Sequence, residues 1–593
     1  MDPVIIVGAG PVGLALALAL ARRDVPVILL DEGPGRPRID EQRPARTAVL
    51  RPDTAHMLSL LGCAVATDDG ARWTGWRTVR RRQTVRQVAF DGPRAVRNGA
   101  GNGATAPLAA GSTDVETPGV ASPLHLPQHV LTRSLRAALA PYGRQTGNGL
   151  VHIATGHRLD TLEQDEGGVS VHTRLVPDTE GADETDGADG AGPEARDDGD
   201  GAQGKGVWWR GSYLIGCDGP RSTVRKLLRV RFPGRTAVER HAVAALRADL
   251  PSPGEGLLHR SPPWRGADAE VTARPLPGGA WRIDWLLPPS HDLVTPEALL
   301  SRVRDTLTGW CGSLPPYELL DTGVHLAHHR LARRWRVGRA FLAGDAAHLI
   351  GALGTQGLDE GLRDVDNLAW KLALAWHHTA ADGLLDSYQT ERRGAVGSRL
   401  RTADQLVSQV RAAGGWPAMR RSVLPGTVRG HDALLTDGHA GLGQLGAPPA
   451  YQLSPLLPDT PPDGTQPVGT APGAPVIDVP VTAPDGSATR LRDRLGGALL
   501  VLLVAPGTGV WERRHWVGAG LMPRLATAVA ALPVRAEILV TESYPGAPAH
   551  TVLLIRPDGH LVASLAGVRP AELYACADAA RGGLRQAPAP SPT

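Results

Sequence analysis

Apolar residues near the start of the chain form two kinds of stretch. Residues 4–31 read VIIVGAGPVGLALALALARRDVPVILLD, in which two short apolar runs flank a glycine-rich turn and a stretch of Leu and Ala. Continuous apolar runs of four or five residues are typical of buried strands, whereas the Leu/Ala stretch favours a helix. The pattern predicts a strand–turn–helix–strand unit of an α/β domain.

Further apolar runs along the chain predict additional strands. The segments 213–219 (YLIGCDG) and 340–345 (AFLAGD) each predict a buried strand with an Asp at or just beyond its end. The segment 280–288 (AWRIDWLLP) also has the character of a strand. We therefore expect a chain in which strands and helices are interspersed over most of the length.

Composition divides the remainder of the chain into regions. Residues 177–206 contain many acids and almost no apolar side chains, which predicts a solvated loop between two strands. A strongly helical region that starts near Leu358 closes a first domain at 1–425. Residues 426–475 are rich in Pro and Gly and predict a linker, and the apolar strands that follow predict a separate small α/β domain at 476–593.

Bulk properties exclude several classes of protein. The 593 residues suffice for two or three domains, and 63 Lys and Arg against 60 Asp and Glu leave a net charge of +3, which predicts no nucleic-acid partner. The four cysteines form no CxxC pair, so neither a disulfide framework nor a metal site is predicted. The apolar run from Leu14 is too short to span a bilayer. We expect a soluble cytoplasmic protein without a membrane partner.

The glycine-rich turn is the first candidate site. It has the GxGxxG spacing between a strand and a helix, a context in which the backbone can approach a pyrophosphate at the helix N-terminus. Asp31 ends the second strand at the spacing expected of a carboxylate that accepts ribose hydroxyls, and Glu32 beside it has the character of a solvated neighbour. These features predict a dinucleotide site but do not distinguish NAD from FAD. The candidate residues are Gly8, Gly10, Pro11, Gly13, Asp31 and Glu32.

Two later motifs narrow the choice of cofactor. Residues 213–228 (YLIGCDGPRSTVRKLL) and 339–348 (RAFLAGDAAH) each place an Asp next to a Gly after a strand. With the glycine turn, they closely resemble the aromatic hydroxylase family of flavoprotein monooxygenases, whose founding member is p-hydroxybenzoate hydroxylase. More narrowly, the chain looks like enzymes that hydroxylate polycyclic aromatic polyketides. The resemblance covers residues 2 to about 400 and implies a Rossmann-like FAD-binding domain interleaved with a β-sheet substrate domain at roughly 64–125 and 230–335.

The resemblance also implies roles for individual residues outside the glycine turn. Arg46 and Gln128 match polar residues that reach the FAD in the family. Asp218 matches an acid that serves both FAD and nicotinamide binding. Gly344 and Asp345 match the turn whose acid holds the ribityl chain.

The segment GALGTQGLDEGL, at 351–362, matches a helix start that the family directs at the pyrimidine end of the flavin. Its free amides and the helix dipole would stabilise negative charge there, and Gly357 and Leu358 would lie against the ring. Asp359 stands where relatives usually carry Asn, which predicts a carboxylate near the flavin that lowers its potential, unless the side chain caps its own helix. Glu360 is interpreted as a first-turn acid that favours the helix dipole.

The C-terminal strands resemble the thioredoxin-like domain attached to many of these hydroxylases. Thioredoxin chemistry requires a CxxC pair, and Cys576 is the single cysteine in 476–593. We therefore expect a role in packing or dimerisation, in a monomer or a homodimer. The predicted fold is α/β throughout, with a Rossmann-like FAD-binding domain, an interleaved β-sheet substrate domain and a thioredoxin-like C-terminal domain.

The resemblance implies an FAD-dependent monooxygenase that uses NADPH or NADH and O2 to hydroxylate a phenolic, multi-ring, polyketide-type aromatic substrate. No catalytic residue is assigned, because His125, His241 and His348 are candidates for the base by position only. Two alternatives stay open: Baeyer–Villiger oxygenation of a ketone, and a flavin-loaded protein that binds an aromatic ligand without turnover. The two later motifs argue against a plain NAD-dependent dehydrogenase.

Overall fold

A computed structural model shows how these elements are arranged. Residues 177–205 of the predicted acidic loop and residues 352–356 of the glycine segment lie outside the part of the chain that it describes. The described residues are 1–35, 43–63, 69–91, 120–143, 148–176, 206–265, 269–288, 294–351, 357–378, 381–411, 425–508, 518 and 520–583.

A six-stranded sheet contains the predicted strand–turn–helix–strand unit. Its strands are parallel except for an antiparallel pair at one edge. The almost fully buried helix Pro11–Ala21 packs against the 22-residue helix Gly357–His378, which we call the long helix. In spatial order the strands are Arg336–Val337, Ala340–Leu342, Tyr213–Gly216, Val4–Val7, Val27–Asp31 and Val151–Thr155.

A nine-stranded sheet forms a second layer beside the first. One of its faces packs on the helix Pro296–Cys311 through a core that includes Ala244, Ile283, Trp285 and Val303. The opposite face is directed toward the six-stranded sheet and carries polar side chains. In spatial order the strands are His348–Leu349, Tyr317–Leu331, Gly234–Ala248, Ala280–Leu286, Glu270–Pro275, Glu255–Arg260, Gly75–Arg80, Gln83–Asp91 and Val120–Ala121.

Two three-stranded sheets and a set of helices complete this part of the chain. One small sheet contains Thr47–Leu50, Leu124–Pro127 and Ala71–Arg72, and the other contains His157–Gln164, Val169–Leu175 and Val207–Gly211. Among the residues before 450 that the structure describes, the remaining α-helices are Pro52–Leu60, Gln128–Leu139, Thr223–Leu227, Asp382–Tyr388, Gly394–Arg411, Pro425–Ala440 and Gly443–Gly446. Within the described ranges, the helices lack the combination of length and apolarity needed to cross a membrane.

The segment predicted as a linker, 426–475, differs from the prediction at its start. Most of its first part forms the helix Pro425–Ala440, which packs on the nine-stranded sheet. The hydroxyl oxygens of Thr78 and Thr436 lie 2.6 Å apart, and Nη2 of Arg86 donates to Oδ1 of Asp437 at 2.7 Å. Composition was misleading here because the helix is held by strands about 350 residues earlier in the chain.

The C-terminal region forms a mixed sheet of its own with a separate apolar core. The helices Met522–Ala530 and Pro570–Ala580 pack on this sheet, and Cys576 is buried among their apolar contacts. The resemblance to a thioredoxin-like domain remains a prediction. In spatial order the strands are Ala488–Arg490, Pro480–Thr482, Ala536–Thr541, Leu499–Val504, Thr551–Ile555 and Leu561–Ala566.

A buried ionic cluster, which we call the Arg556 cluster, joins the C-terminal region to the long helix. It consists of Lys371, Glu391, Arg556 and Asp558, whose side chains are at most 1% exposed. Arg556 donates to both oxygens of Glu391, at 2.6 and 2.9 Å, and through Nε to Oδ1 of Asp558 at 3.0 Å. Lys371 donates to Glu391 at 2.7 Å. The two regions are therefore connected by charges that water does not reach.

Glu391 lies on a short π-helical turn, Gln389–Arg393, between two α-helices. The next residue, Arg392, is also fully buried but points to a different group of partners. Its Nε donates to Oδ1 of Asp364 at 2.8 Å, and its Nη2 donates to Oε2 of Glu360 at 2.9 Å. This turn thus contributes adjacent side chains to two separate sets of contacts.

Candidate functional site

A cavity of about 1050 Å³ lies between the two large sheets. The glycine turn and the start of the long helix form one wall, and the polar face of the nine-stranded sheet forms the other. A volume of this size lies at the upper end of the range for small-molecule and cofactor sites. Among the sequence-predicted site residues, those that line the cavity are Gly10, Pro11, Arg46, Gln128, Asp345, Gly357 and Leu358.

The glycine turn brings the backbone close to the second predicted motif. Gly8 has φ of +104°, and a Cβ at this position would lie 2.4 Å from the carbonyl oxygen of Cys217, so a larger residue does not fit. A Cβ on Gly10 would meet no atom within 4 Å, because this residue faces the cavity. Gly13 packs against the backbone of Gly8. The turn therefore offers open backbone to a ligand, as a dinucleotide site requires.

The two acids after the second strand take different positions. Asp31 accepts a hydrogen bond from the backbone amide of Ala9 at 3.3 Å, so its carboxylate lies beside the glycine turn. Glu32 instead forms an ion pair with Arg158 at 3.1 Å, and both side chains are about 60% exposed. This geometry agrees with the interpretation of Glu32 as a solvated neighbour and gives no support for its inclusion among the cofactor-binding residues.

Arg46 and Gln128 meet on the cavity wall although 82 residues separate them. Nε of Arg46 donates to Oε1 of Gln128 at 3.0 Å, and the backbone amide of Gln128 donates to the carbonyl oxygen of Arg46 at 2.9 Å. Gln128 is the first residue of the helix Gln128–Leu139. The residue before the strand Thr47–Leu50 and the first residue of the helix Gln128–Leu139 therefore form a polar pair at the cavity surface.

Asp218 and Asp345 lie at the ends of adjacent parallel strands, where an α/β sheet commonly binds ligands. Oδ2 of Asp218 accepts from the amide of Val224 at 3.0 Å, while its buried Oδ1 has no hydrogen-bond partner among the described residues. Burial raises the pKa of both carboxyl groups. Asp345 lines the cavity, and a Cβ on Gly357 would lie 3.3 Å from its Oδ1. A ligand hydroxyl would supply a donor to Oδ1 of Asp218, which has none among the described residues.

The side chain of Asp359 does not face the cavity, which corrects the sequence-based hypothesis about its charge. Its fully buried carboxylate accepts from the backbone amide of Arg51 at 3.0 Å and from Nη1 of the same residue at 2.8 Å. Thr54 also donates to it. Among the described residues, the partners of Asp359 therefore lie about 305 residues earlier in the chain and not in its own helix, so its charge is compensated and is not free at the cavity.

Glu360 is likewise not the simple first-turn acid that the sequence indicated. It is 2% exposed and receives hydrogen bonds from Arg363 at 2.9 Å, Arg392 at 2.9 Å and also Arg399. Burial opposes its ionisation, but Arg399 and the neighbouring guanidinium groups hold the pKa of Glu360 well below its usual range. The start of the long helix is thus anchored on its inner side by ion pairs, while Leu358 reaches the cavity.

The sheet wall of the cavity carries a charged cluster that sequence reasoning missed. Asp284 bridges two arginines, at 2.8 Å from Nη1 of Arg274 and 2.7 Å from Nη2 of Arg282. Burial alone would raise the pKa of Asp284, but Arg282 and Arg274 hold it well below its usual range. A signal was present in AWRIDWLLP, because strand alternation places Arg282 and Asp284 on one face and the apolar Trp281, Ile283 and Trp285 on the other.

Among the three histidines considered from sequence, His241 is the one that lines the cavity. Its Nε2 lies 3.0 Å from Oε2 of Glu239, and its ring stacks on His325 with centroids 5.0 Å apart. Burial lowers the pKa of both rings, that of His325 to about 4. His125 and His348 are fully buried outside the cavity, bonded to Thr47 at 2.8 Å and Asp364 at 2.9 Å. His325 was missed because its strand gave no motif.

Comparison with known proteins identifies the class to which this arrangement belongs. Residues 1–403 match the model of a family described as FAD binding domain. The match covers more than half of the chain, and the protein belongs to this family. The glycine turn, the unpartnered Oδ1 of Asp218 and the cavity-lining Asp345 fit that cofactor, because they offer open backbone and acceptors to a dinucleotide with ribose and ribityl hydroxyls.

Curated relatives are similar over different parts of the chain. Rifampicin monooxygenase of Streptomyces venezuelae is 30% identical over 432 residues, which make up 71% of this chain and 74% of the relative. A 3-(3-hydroxy-phenyl)propionate/3-hydroxycinnamic acid hydroxylase of Burkholderia vietnamiensis is 32% identical over 258 residues, 43% of this chain. In the latter case the chain matches 36% of the relative's length.

A solved structure is similar over nearly the whole chain. The flavin-dependent monooxygenase PieE, determined in complex with FAD and substrate, has a TM-score of 0.69 and 21% sequence identity. The alignment covers 98% of each chain. At this identity the similarity establishes the fold alone.

Proposed function

We propose that the protein is an FAD-dependent monooxygenase that consumes NADPH or NADH and O2 and hydroxylates a phenolic, multi-ring aromatic substrate. One observation carries the proposal: a single cavity is lined both by seven of the predicted cofactor-binding residues and by a polar sheet face with His241 and His325, whose pKa values burial lowers. A cofactor and an aromatic substrate can therefore share one space. Similarity to a rifampicin monooxygenase and to aromatic hydroxylases supports the same reaction class.

In this proposal the glycine turn and the start of the helix Pro11–Ala21 hold the pyrophosphate of FAD. Asp31 accepts ribose hydroxyls and Asp345 accepts ribityl hydroxyls, while Arg46 and Gln128 contact the cofactor from the side. The amides at Gly357 and Leu358 stabilise negative charge through the dipole of the long helix. Bound FAD would accept a hydride from NAD(P)H and would activate O2 for oxygen transfer.

The sheet wall would act on the substrate. The carboxylate of Glu239 accepts from Nε2 of His241 in this assignment, which leaves Nδ1 of the neutral ring as a proton acceptor. Nδ1 would then remove the proton from a substrate hydroxyl and make the aromatic ring more electron-rich. His325 stacks on the imidazole ring of His241 and holds its orientation. The ion pairs of Arg274 and Arg282 with Asp284 keep these polar side chains in place on the sheet wall.

The remaining features of the chain are assigned by the same proposal. We infer that the C-terminal region is a thioredoxin-like domain with a packing role, because a lone buried Cys576 cannot perform dithiol chemistry. We expect the protein to act in the cytoplasm, in specialised metabolism of polyketide type, as a monomer or a homodimer.

The test is to purify the protein, record its visible spectrum, and follow NADPH and O2 consumption with a panel of mono- and polycyclic phenols. We expect a flavin spectrum and NADPH oxidation that a phenol stimulates, with a product that is heavier by one oxygen. Product connectivity separates ring hydroxylation from oxygen insertion beside a ketone. Ligand binding without stimulated NADPH oxidation would refute the proposal in favour of a binding protein.

His241→Ala provides a sharper test of the proton acceptor. We expect a rate decrease of about 10²–10⁴-fold at pH 7, the usual contribution of general acid–base catalysis. The decrease should become small above the pKa of the phenol, because an ionised substrate no longer needs a base. His378→Ala changes an exposed histidine outside the cavity and serves as the control. An equal loss at all pH values would show that His241 does not accept the proton.

A further inference from the structure

A second cavity of about 640 Å³ borders the main one, and we call it the second chamber. Its walls come from the strand that follows Arg46, from the short strand at 120–121, and from the turn after the helix Pro425–Ala440. Most of the lining is apolar side chain or glycine backbone. The apolar side chains include Val49, Pro52, Ala121, Pro123, Leu442 and Pro448.

The charged residues of the chamber wall are already neutralised within the protein. Arg51 forms ion pairs with Asp359 at 2.8 Å and Glu360 at 3.2 Å, and Asp53 forms one with Arg363 at 2.7 Å. An additional charge brought in by a ligand would find no uncompensated partner in these groups. The chamber therefore favours an uncharged, apolar occupant.

Two residues, Val49 and His439, line both cavities. Nδ1 of His439 lies 3.1 Å from Nη2 of Arg274, and its ring stacks on Trp76 with an interplanar angle of 6°. His439 is the penultimate residue of the helix Pro425–Ala440, and the chain leaves the helix at Gly441, which has φ of +72°. Val49 and His439 thus form a boundary that the two cavities share.

We propose that the second chamber is a binding subsite for the apolar distal part of a long substrate whose reactive ring occupies the main cavity. The proposal rests on the proposed function and specifies the substrate class as elongated, with an uncharged alkyl or fused-ring portion. The boundary that the two cavities share at Val49 and His439 carries the argument, because it places the chamber next to the space in which the reactive ring would lie. A volume of about 640 Å³ is enough for a ligand portion of that kind.

The series 4-methylphenol, 4-propylphenol and 4-hexylphenol tests this subsite, since the alkyl chain can extend beyond the ring. We would measure the dissociation constant of each for the full-length, flavin-loaded protein by titration calorimetry. Burial of each methylene should strengthen binding by up to about fourfold. We therefore expect at least about a tenfold gain from 4-methylphenol to 4-hexylphenol.

Two variants fill the chamber from different segments of the chain. Ala447→Trp and Ala121→Trp change exposed residues that line it, and Ala447 has an extended backbone with φ of −58° that accepts any side chain. Both should abolish the gain for 4-hexylphenol and leave the affinity for 4-methylphenol unchanged. Ala450→Trp, at an exposed position outside the lining, is the matched control and should retain the full gain.

The outcomes separate this subsite from the proposed function. A gain that survives both filling variants, or no gain in the parent protein, would overturn the subsite even if 4-methylphenol stimulates NADPH oxidation. A gain that both filling variants abolish would support the subsite even if no phenol stimulates NADPH oxidation. That last result would reject hydroxylation and keep the chamber as a ligand site.

Discussion

Replacement of Arg556 by Met tests whether the Arg556 cluster holds the C-terminal region on the rest of the protein. Arg556 makes hydrogen bonds to both oxygens of Glu391 and to Asp558, and all three side chains are at most 1% exposed. Met keeps much of the volume but removes the charge. Two buried carboxylates would then face one ammonium group, that of Lys371.

The magnitude follows from this imbalance. Removal of one partner from a buried ion pair costs about 3–5 kcal/mol, because the remaining charge is left uncompensated. The guanidinium of Arg556 also lies 5.3 Å from the ring centroid of Trp370, a contact worth roughly 0.5–1 kcal/mol or more. Lys371 still offsets one carboxylate, so we expect a loss of about 3–4 kcal/mol in the free energy of unfolding.

The assay is urea unfolding followed by tryptophan fluorescence and by flavin absorbance. Trp370, which lies at the contact, is one of the 14 tryptophans of the chain. Because a multidomain chain need not unfold in one step, the comparison is made between transition midpoints. A shift on the order of 1 M is expected. Arg490→Met is the matched control, since Arg490 is 48% exposed and pairs with Asp478, and such pairs contribute less than about 1 kcal/mol.

The pH dependence gives a second check on the same variant. Burial opposes ionisation of Glu391 and Asp558, but Arg556 holds the pKa of each below its usual range. Carboxyl groups with a lowered folded-state pKa stabilise the fold above their unfolded pKa of about 4, and this stabilisation is lost as the pH falls. The difference between parent and Arg556→Met should thus be fully present above about pH 4 and shrink as the pH falls below that value. A loss no larger than that of Arg490→Met would refute the reasoning.

Three further predictions follow from individual carboxylates. Asp345→Ala should weaken FAD retention by about 1–3 kcal/mol through loss of an acceptor, and equal flavin occupancy after gel filtration would contradict this. Burial, followed by the charge of Asp558, raises the pKa of Asp366 to about 7. Because the folded-state pKa then exceeds the unfolded value, stability from this group is complete below about pH 4 and declines as the pH rises toward 7. Asp366→Asn should make the decrease in Tm between about pH 4 and about pH 7 smaller. An unchanged decrease would exclude Asp366 as its cause. Asp359→Asn should cost about 1–3 kcal/mol through Arg51 and leave the flavin midpoint potential unchanged, which spectroelectrochemical titration can check.

The parts of the fold that local pattern determines could be predicted from the sequence. The strand–turn–helix–strand unit forms as expected because its apolar runs, glycines and helix-forming residues lie within about 30 residues of one another. The helix Pro425–Ala440 could not be recognised in this way. Its Thr436 and Asp437 bond to Thr78 and Arg86, and composition alone does not show such distant contacts.

The same limit applies to the candidate site. The wall that resembles a dinucleotide site was predictable because its glycines and acids follow strands in a fixed order. The direction of the Asp359 side chain was not predictable, because its carboxylate bonds to Arg51, which lies in a distant part of the chain. On the sheet wall, alternation could place Arg282 and Asp284 on one face, but Arg274 and His439 join them only through the packing of separate segments.

The turn Gln389–Arg393 has a consequence for the way in which such proteins can be recombined. Glu391 accepts hydrogen bonds from Arg556 in the C-terminal region. Arg392 instead donates to Glu360 and Asp364 of the long helix. A C-terminal region transplanted from a relative that lacks an equivalent of Arg556 would leave Glu391 unmatched in the interior. Exchange of these regions is therefore coupled, and functional chimeras are expected when a crossover exchanges the long helix, which carries Glu360 and Asp364, together with the turn and the C-terminal region.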